Sequence, residues 1–582
     1  MKDWGVLKRI IGLARPYQRW GIFIVLLAVV LAPLRTAAPY IINQLVDGFV
    51  KVEETSFFIR WILVYVLFLL VQLAGEYVFV YYSEKLGQQV VFDLRKYLFK
   101  RLLSFKMRYF DVTPIGKNTT RVVSDIETLG LVFTRQGLTM MIADVLSVIA
   151  VLTVMIITSW KLTFICLLTM PLMLIATYIF KEKVKEAFTQ VRQLISEMNA
   201  FVQERISGMK TVQLFNVEER EAHQFSRMNT SYKAANIRTI KYYAVFFPVV
   251  EIISSLALAL MIWWGAGDVV KDRLTLGVLV AFPMYVNRLF RPIRFLADKF
   301  NNVQMAMVAA GRVFDLMDEE DNVEHSGNKT IKSFEGHVCF EHLWFSYDGE
   351  QQVLKDVSFD IPAGTTAAFV GATGSGKTSV SNVICKLYDY QKGSATIDGY
   401  EIRELNNRDL RSKIGIVLQD VFLFAGTILD NIRLRDERIT KEQVIDAAKM
   451  IGAHEMILGF EGGYHHFLYE RGANLSVGQR QLIAFVRVLV FDPKLLILDE
   501  ATSSIDTMSE RVIQRAIDIV TQDRTTIIIA HRLATIRNAH QVLVLDGGKV
   551  IEQGAYDELL LKDNGAFRNL YEMQFSADEL LS

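Results

Sequence analysis

The chain has 582 residues, 51% of them hydrophobic, and a formal net charge of +1. That length exceeds one ordinary globular domain, and the apolar share excludes a wholly soluble chain. The near-neutral balance gives no reason to expect a nucleic-acid partner, and three cysteines (Cys166, Cys339, Cys385) without CxxC spacing exclude a disulfide framework or a zinc cluster.

Lys2, Lys8, Arg9, Arg15 and Arg19 precede an apolar run at 21–34. The order superficially matches a secretory signal. No small-residue cleavage site follows, however, and Trp4, Leu7, Ile10, Ile11 and Ala14 repeat at helical spacing. Residues 1–19 are expected to form an amphipathic helix on the cytoplasmic membrane surface. Six apolar segments follow, at 20–42, 61–82, 137–159, 162–180, 245–267 and 274–296, each near the about 20 residues that cross a bilayer as a helix. Connections are short after the first, third and fifth segments and long after the second (83–136) and fourth (181–244). The first long connection carries Arg95, Lys96, Lys100, Arg101, Lys106 and Arg108, whereas the short loop at 47–56 sets Asp47, Glu53 and Glu54 against Lys51. Positive charge favours the cytoplasmic side, so the N-terminus and both long connections belong there. Regular apolar positions such as Leu94, Tyr97, Leu98, Leu102 and Phe105 predict helices that run on beyond the bilayer rather than disorder.

Ionisable residues inside such segments are costly, and they mark either a transport path or pairing between helices. Glu76, Asp144 and Glu251 lie in the segments, toward the cytoplasmic half, with Arg35, Arg288, Arg291 and Arg294 supplying positive charge. One reading is an inward-open cavity of mixed charge for amphipathic cations or for lipids with charged heads. The other is helix–helix ion pairing, to which Arg291 and Arg294 at the membrane edge are assigned. Arg35, nearer the outer half, suggests no role.

The character changes after residue 296. The expected layout is an elbow helix at 1–19, an α-helical six-span transmembrane domain at 20–310 and a charged, Gly327-containing linker at 311–335. An α/β domain follows at 336–575, then a tail at 576–582. In the α/β half, Gly371-Ala372-Thr373-Gly374-Ser375-Gly376-Lys377-Thr378 follows an apolar strand at 367–370 and precedes helix-like sequence from Ser379. Glycines at these positions let backbone N–H groups curl around a phosphate, and a helix start adds partial positive charge. Lys377 can reach the β- and γ-phosphates, and the Thr378 hydroxyl can ligate Mg²⁺. A second apolar run, Leu495-Leu496-Ile497-Leu498, ends in Asp499-Glu500. It reads as a buried parallel strand whose first acid holds the Mg²⁺ shell and whose second polarises an attacking water. Two solvated acids at a strand end would look the same in isolation.

Between these motifs lies Leu475-Ser476-Val477-Gly478-Gln479, which resembles the LSGGQ signature of ABC transporters. Gln419 resembles the Q-loop glutamine, Ser504-Ile505-Asp506 the D-loop and His531 the switch histidine. Tyr347 resembles the aromatic residue that stacks on adenine, and Glu470-Arg471-Gly472 the exporter X-loop. Pro114-Ile115-Gly116 and Arg291-Pro292-Ile293 are similar to stretches of the type I exporters, so the resemblance covers essentially the whole chain. It implies a P-loop ATP-binding cassette using ATP and Mg²⁺, with Gln419 joining Thr378 and Asp499 at the metal and Glu500, His531 and Gln419 at the hydrolytic centre. Tyr347, the phosphate loop through Ser379, and Asp499 would bind the nucleotide. Ser476, Gly478 and Gln479 would contact the γ-phosphate held by a second cassette.

A second half-transporter is therefore an expected partner, with membrane lipid and a small amphipathic substrate, in a bacterial inner membrane with the cassette cytoplasmic. Stretches near 113–125 and 208–219 are expected to couple the cassettes to the spans. Val477 departs from the signature's usual glycine while Glu500 is intact, which leaves homodimer and heterodimer both open, with the homodimer slightly favoured. The implied activity is ATP-driven export or flipping; an ATP-gated channel on the same scaffold is the alternative. None of these motifs reads the cargo.

Overall fold

The computed structural model describes the chain except Met1, 52–54, Arg135, Asp272, 321–325, 500–506, 531–535 and Ser582; some helical side chains beside these, including 293–298, are also outside the description. The chain divides into two compact units, one of Met1–Leu103 with Ile115–Glu319 and one of Ser104–Pro114 with Glu320–Ser582.

The first unit is helical. Among the described residues, five helical stretches are long and apolar enough to cross a membrane: Arg15–Phe49, Phe57–Leu102, Ile115–Thr158, Trp160–Ser207 and Glu218–Val270. The sixth segment lies in the helix Leu276–Met317 but is not among those five, because Arg288, Arg291 and Arg294 interrupt its apolar run. Thr55–Leu102 is one helix of 48 residues and Glu218–Val270 one of 53, so at about 1.5 Å per residue both outrun a bilayer core of about 30 Å. Hydroxyls on these helices bond the carbonyl four residues back, as Ser147 does to Ala143, Thr163 to Ser159 and Thr177 to Met173, which removes the cost of placing them in an apolar setting. Val151, Met155, Cys166, Phe246, Val250, Met261, Phe282 and Phe290 form the buried core that joins four of the helices.

The N-terminal helix Lys2–Leu13 buries Ile10 and leaves Trp4 and Ile11 exposed. Arg9 forks onto Asp318 at 2.5 and 2.6 Å and lies 4.2 Å from the centre of the Phe314 ring, so this helix is tied to the far end of Leu276–Met317. Near the same end, Arg312 grips the buried Asp125 at 2.8 and 2.5 Å, where a π-helical turn at Arg121–Asp125 interrupts the helical path.

The second unit is α/β. Among the described residues its strands are β1 Val338–Phe345, β2 Leu354–Ile361, β3 Thr366–Val370, β4 Lys392–Ile397, β5 Tyr400–Glu401, β6 Ile414–Val417, β7 Gly426–Thr427, β8 Phe467–Leu468, β9 Leu495–Asp499, β10 Thr525–Ile529, β11 Gln541–Asp546 and β12 Lys549–Gly554. The main sheet runs β12-β11-β3-β10-β9-β6, parallel except where β12 pairs β11. An antiparallel sheet, β2-β1-β4-β5, packs beside it.

The continuous apolar runs of the main sheet follow from burial on both faces. Ala368 and Val370 of β3, Leu496 and Leu498 of β9 and Ile528 of β10 enter one core. Ala367 and Phe369, Leu495 and Ile497, and Ile527 enter the other.

The short helix Met107–Val112 belongs to this second unit, with Asp111 accepting a 2.6 Å hydrogen bond from the Tyr388 hydroxyl and Arg108 donating to the Asp348 carbonyl at 3.2 Å. Of the expected coupling stretch at 113–125, Thr113 and Pro114 group with this second unit. From Ile115 onward the residues group with the helical unit. Lys106 also lies 3.9 Å from Asp389 in this unit.

Candidate functional site

Parallel strands present their carboxyl ends on one edge of the sheet, where loops of an open α/β sheet form binding crevices. The Gly371 loop follows β3, Gln419 follows β6 and Asp499 ends β9. Three of the sequence motifs are thereby brought to one edge of the sheet by topology alone. Glu500, the D-loop residues Ser504, Ile505 and Asp506, and His531 lie outside the described residues.

The Gly371 loop has a backbone that only glycine holds easily. Gly371 has φ +148° and a Cβ there would sit 2.1 Å from the Leu545 carbonyl oxygen. Gly374 has φ +83° and opens onto free space. The helix Lys377–Ile384 starts directly after, with its N-terminal partial charge aimed into the loop.

Lys377 is only 5% exposed, and its ammonium donates to the carbonyls of Gly371 and Ala372 at 2.8 and 3.0 Å. The loop's own carbonyls thus hold an ammonium inside it, a charge-assisted donor for an entering anion. Ser375 is 4% exposed, and its hydroxyl has no hydrogen-bond partner among the described residues. An orphaned buried hydroxyl beside an open glycine and a buried lysine is what a phosphate group would satisfy. Thr378 Oγ1 lies 3.4 Å from Asp499 Oδ2, which brings together two oxygen ligands of the type hard cations take.

Tyr347 is half-buried. Its hydroxyl lies 3.1 Å from Ser379 Oγ and accepts from Asn382 Nδ2 at 2.9 Å, both on the loop's own helix. Its ring meets Phe345 and Tyr388 edge-on at 4.7 and 4.8 Å. The tyrosine is thus fixed relative to the phosphate loop by contacts that its sequence motif did not reveal.

A turn holds it from the other side. Asp348 accepts from Ser346 Oγ, Glu350 N and Gln351 N at 2.8, 2.8 and 3.0 Å, and these bonds hold its carboxyl down at about 2. The Ser-x-Asp-Gly order at 346–349 is a turn signal that could have found this residue. An ordinary aspartate titrates near 4, so the carboxylate's support of the turn is complete above about pH 4 and is lost as pH falls through about 2. Asp348→Asn is expected to weaken ATP binding roughly three- to tenfold at pH 7. Titration calorimetry should find the same deficit down to pH 4; a deficit already fading at pH 5 would contradict the assignment.

The signature stretch sits at a helix start, as expected. Val477–Phe491 is helical and Ser476 caps it: Gln479 N donates to Ser476 Oγ at 3.2 Å, and Ser476 N donates to Gln479 Oε1 at 2.9 Å. Ser476 and Val477 are exposed, while Gly478 is buried. Glu470–Gly472 forms a single tight turn just before it, with Arg471 at φ +58°.

The charges in the membrane-crossing helices are largely paired. Glu76 accepts from Gln72 at 3.2 Å and lies 3.4 Å from Arg35 Nε, and Asp144 is bonded to Lys299. Of the three carboxylates expected to make an acidic cavity, two are therefore neutralised within the chain. Glu251 is exposed. The Cys385 thiol is buried and pushed up to about 12, which leaves it unreactive at neutral pH.

Residues 21–293 match the family described as "ABC transporter transmembrane region", and residues 354–503 match that described as "ABC transporter". Over 99% of its length the chain is 35% identical to 95% of "Uncharacterized ABC transporter ATP-binding protein YknV" of Bacillus subtilis (strain 168). Over 85% it is 37% identical to 73% of "Probable multidrug resistance ABC transporter ATP-binding/permease protein YheH" of the same organism. Among solved structures, "Structure of a bacterial Atm1-family ABC exporter with ATP bound" superposes with a TM-score of 0.75 at 26% identity, covering 96% of this chain and 98% of that one.

Proposed function

The chain belongs to the ABC transporter family, and from that premise we propose that it is one half of an ATP-driven exporter whose two cassettes close on ATP. It is a multi-pass membrane protein whose ATP hydrolysis is coupled to transport. The observation that carries the reading is the orphaned, buried Ser375 hydroxyl beside the buried Lys377 ammonium, in one polypeptide with membrane-crossing helices.

In this reading Lys377 leaves the carbonyls of Gly371 and Ala372 for the β- and γ-phosphates, and Ser375, Thr378 and Ser379 close around them. Thr378, Asp499 and Gln419 would hold Mg²⁺, which when bound offsets phosphate charge. Tyr347 would stack on adenine. Glu500 would polarise the attacking water, with His531 beside the γ-phosphate.

Ser476, Gly478 and Gln479 would complete the ATP site of a second copy. The cap formed by Ser476 and Gln479 gives a way to separate folding from this contact. Loss of the cap costs about 1 kcal/mol through either residue. Ser476→Asp keeps a good helix cap but would set a carboxylate against the γ-phosphate, so it is expected to lower ATPase at least tenfold, as Ser476→Ala does, while melting nearer the parent than Ser476→Ala; ATPase that recovers with the cap would reduce the serine to a helix cap.

The further features are a homodimer, a cell membrane location with the cassettes cytoplasmic, and an amphipathic cargo. The chain expressed alone should purify as a two-fold particle that turns over ATP. An inactive particle that gains activity only with a different half-transporter would rule out the homodimer. The short helices Met107–Val112 and Met209–Leu214 are the proposed levers between cassettes and spans.

A further inference from the structure

We propose that the membrane-embedded face around Arg288 takes the anionic head of an amphipathic cargo. This rests on the export reading and names its substrate class. Arg35, Glu76 and Arg288 come from three different helices, Gln18–Lys51, Thr55–Leu102 and Leu276–Met317. Glu76 is already served: Arg35 Nε lies 3.4 Å away, and Gln72 donates to the same oxygen at 3.2 Å. Arg35 is held a second time, donating from Nη1 to Ser147 Oγ at 3.2 Å.

Arg288 is half-buried and within electrostatic range of Glu76, Tyr65 and Tyr285, yet it makes no hydrogen bond or ion pair among the described residues. Two guanidinium groups thus face one carboxylate, and a guanidinium does not shed its proton. The local charge is positive. Asp144 cannot balance it, because Lys299 already pairs with Asp144. Arg291, one helical turn further along, is exposed and adds positive charge rather than removing it. An uncompensated charge is expensive at membrane depth unless water or a counter-ion reaches it. The vacant donors of Arg288 form a planar fork, suited to a carboxylate, sulfonate or phosphate oxygen pair. The exposed Asn287 and Tyr40 and the buried Tyr285 supply a polar and aromatic surround.

The test uses the full chain in phosphatidylcholine nanodiscs and two dyes on the same three-ring scaffold, carboxyfluorescein (anionic) and rhodamine 123 (cationic), read by fluorescence anisotropy. Carboxyfluorescein is expected to bind at least about tenfold more tightly. Arg288→Gln should weaken it about tenfold, and Arg288→Lys by less, because the charge remains while the fork is lost. Discs containing phosphatidylglycerol separate the sources of the anion. Competition with carboxyfluorescein would show that lipid headgroups use the site, and no competition would show that it serves small organic anions; both outcomes keep an anion site. Equal or tighter binding of rhodamine 123, no binding of either dye, or anion binding unchanged in Arg288→Gln would overturn the proposal. If Glu251→Gln rather than Arg288→Gln moves the preference, a second copy's carboxylate neutralises the arginine and the proposal also fails. ATP turnover of the parent in the same discs reports on the export reading separately, since it does not depend on which dye is preferred.

Discussion

Lys377→Ala is expected to abolish ATP turnover, with a loss of about a thousandfold or more, equivalent to about 4 kcal/mol of transition-state stabilisation. The side chain is 5% exposed and is the cation that the loop folds around. Without it, the γ-phosphate meets the helix N-terminus and the loop's N–H groups alone, and these carry only partial charge. Nucleotide binding should weaken as well, because the ammonium contacts phosphate before and during transfer. Folding should survive, because the change removes a side chain that belongs to neither apolar core of the α/β unit, so the melting temperature is expected to stay within a few degrees. Lys377→Arg should fail too, since a planar guanidinium does not fit a pocket shaped to an ammonium. A lysine variant that melts normally and still hydrolyses ATP at the parent rate would remove the phosphate loop from the chemistry.

Glu500→Gln should separate binding from hydrolysis. Glu500 follows Asp499 directly, and Asp499 ends β9 one strand away from β10 and two from the phosphate loop's β3. A residue there can orient water without touching the nucleotide's phosphate cradle. Replacing a general base by its amide typically costs about 10²- to 10⁴-fold in rate. ATP affinity should remain near that of the parent, so ATP-bound dimers should accumulate and be visible by size-exclusion chromatography. Lys377→Ala should show weakened binding and no accumulation. Parent-level hydrolysis in Glu500→Gln would place the base elsewhere.

Much of this was readable from sequence because it rests on local rules. The run at 495–498 reads as a buried strand because each residue enters one of two cores, and no polar face is needed. The helix start at Val477 was implied by the resemblance, and the structure supplies its local reason in the capping pair Ser476 and Gln479. Long helices beyond the bilayer were legible from periodic apolar positions such as Leu94, Leu98 and Leu102, all of which are buried in the helix Thr55–Leu102.

Pairing across helices was not readable. Arg35 and Glu76 are 41 residues apart and Asp144 and Lys299 are 155 apart, so no spacing rule links them. Lys299 lies beyond the sixth apolar segment, at 274–296, where hydropathy gives no sign of a partner for Asp144. The expectation of an acidic cavity followed from counting carboxylates without their partners. The expected coupling stretch at 113–125 came from the resemblance, and the bonds of Arg108 and Asp111 in the helix Met107–Val112 have no counterpart in sequence spacing. Tyr347 was identified by motif, while its tether to Ser379 and Asn382 depends on the fold of the loop.

The most direct test of the account is flux measured with hydrolysis in the same preparation. Purified chain is reconstituted into proteoliposomes, Mg²⁺ and ATP are added outside, and rhodamine 123 and carboxyfluorescein are followed inward from cassette-out particles. The account predicts uptake of at least one dye against its gradient in the parent, stopping when ATP is exhausted, and none in Lys377→Ala or Glu500→Gln. Uptake by either variant at the parent rate, or parent ATP turnover with dye moving only down its gradient, would contradict it.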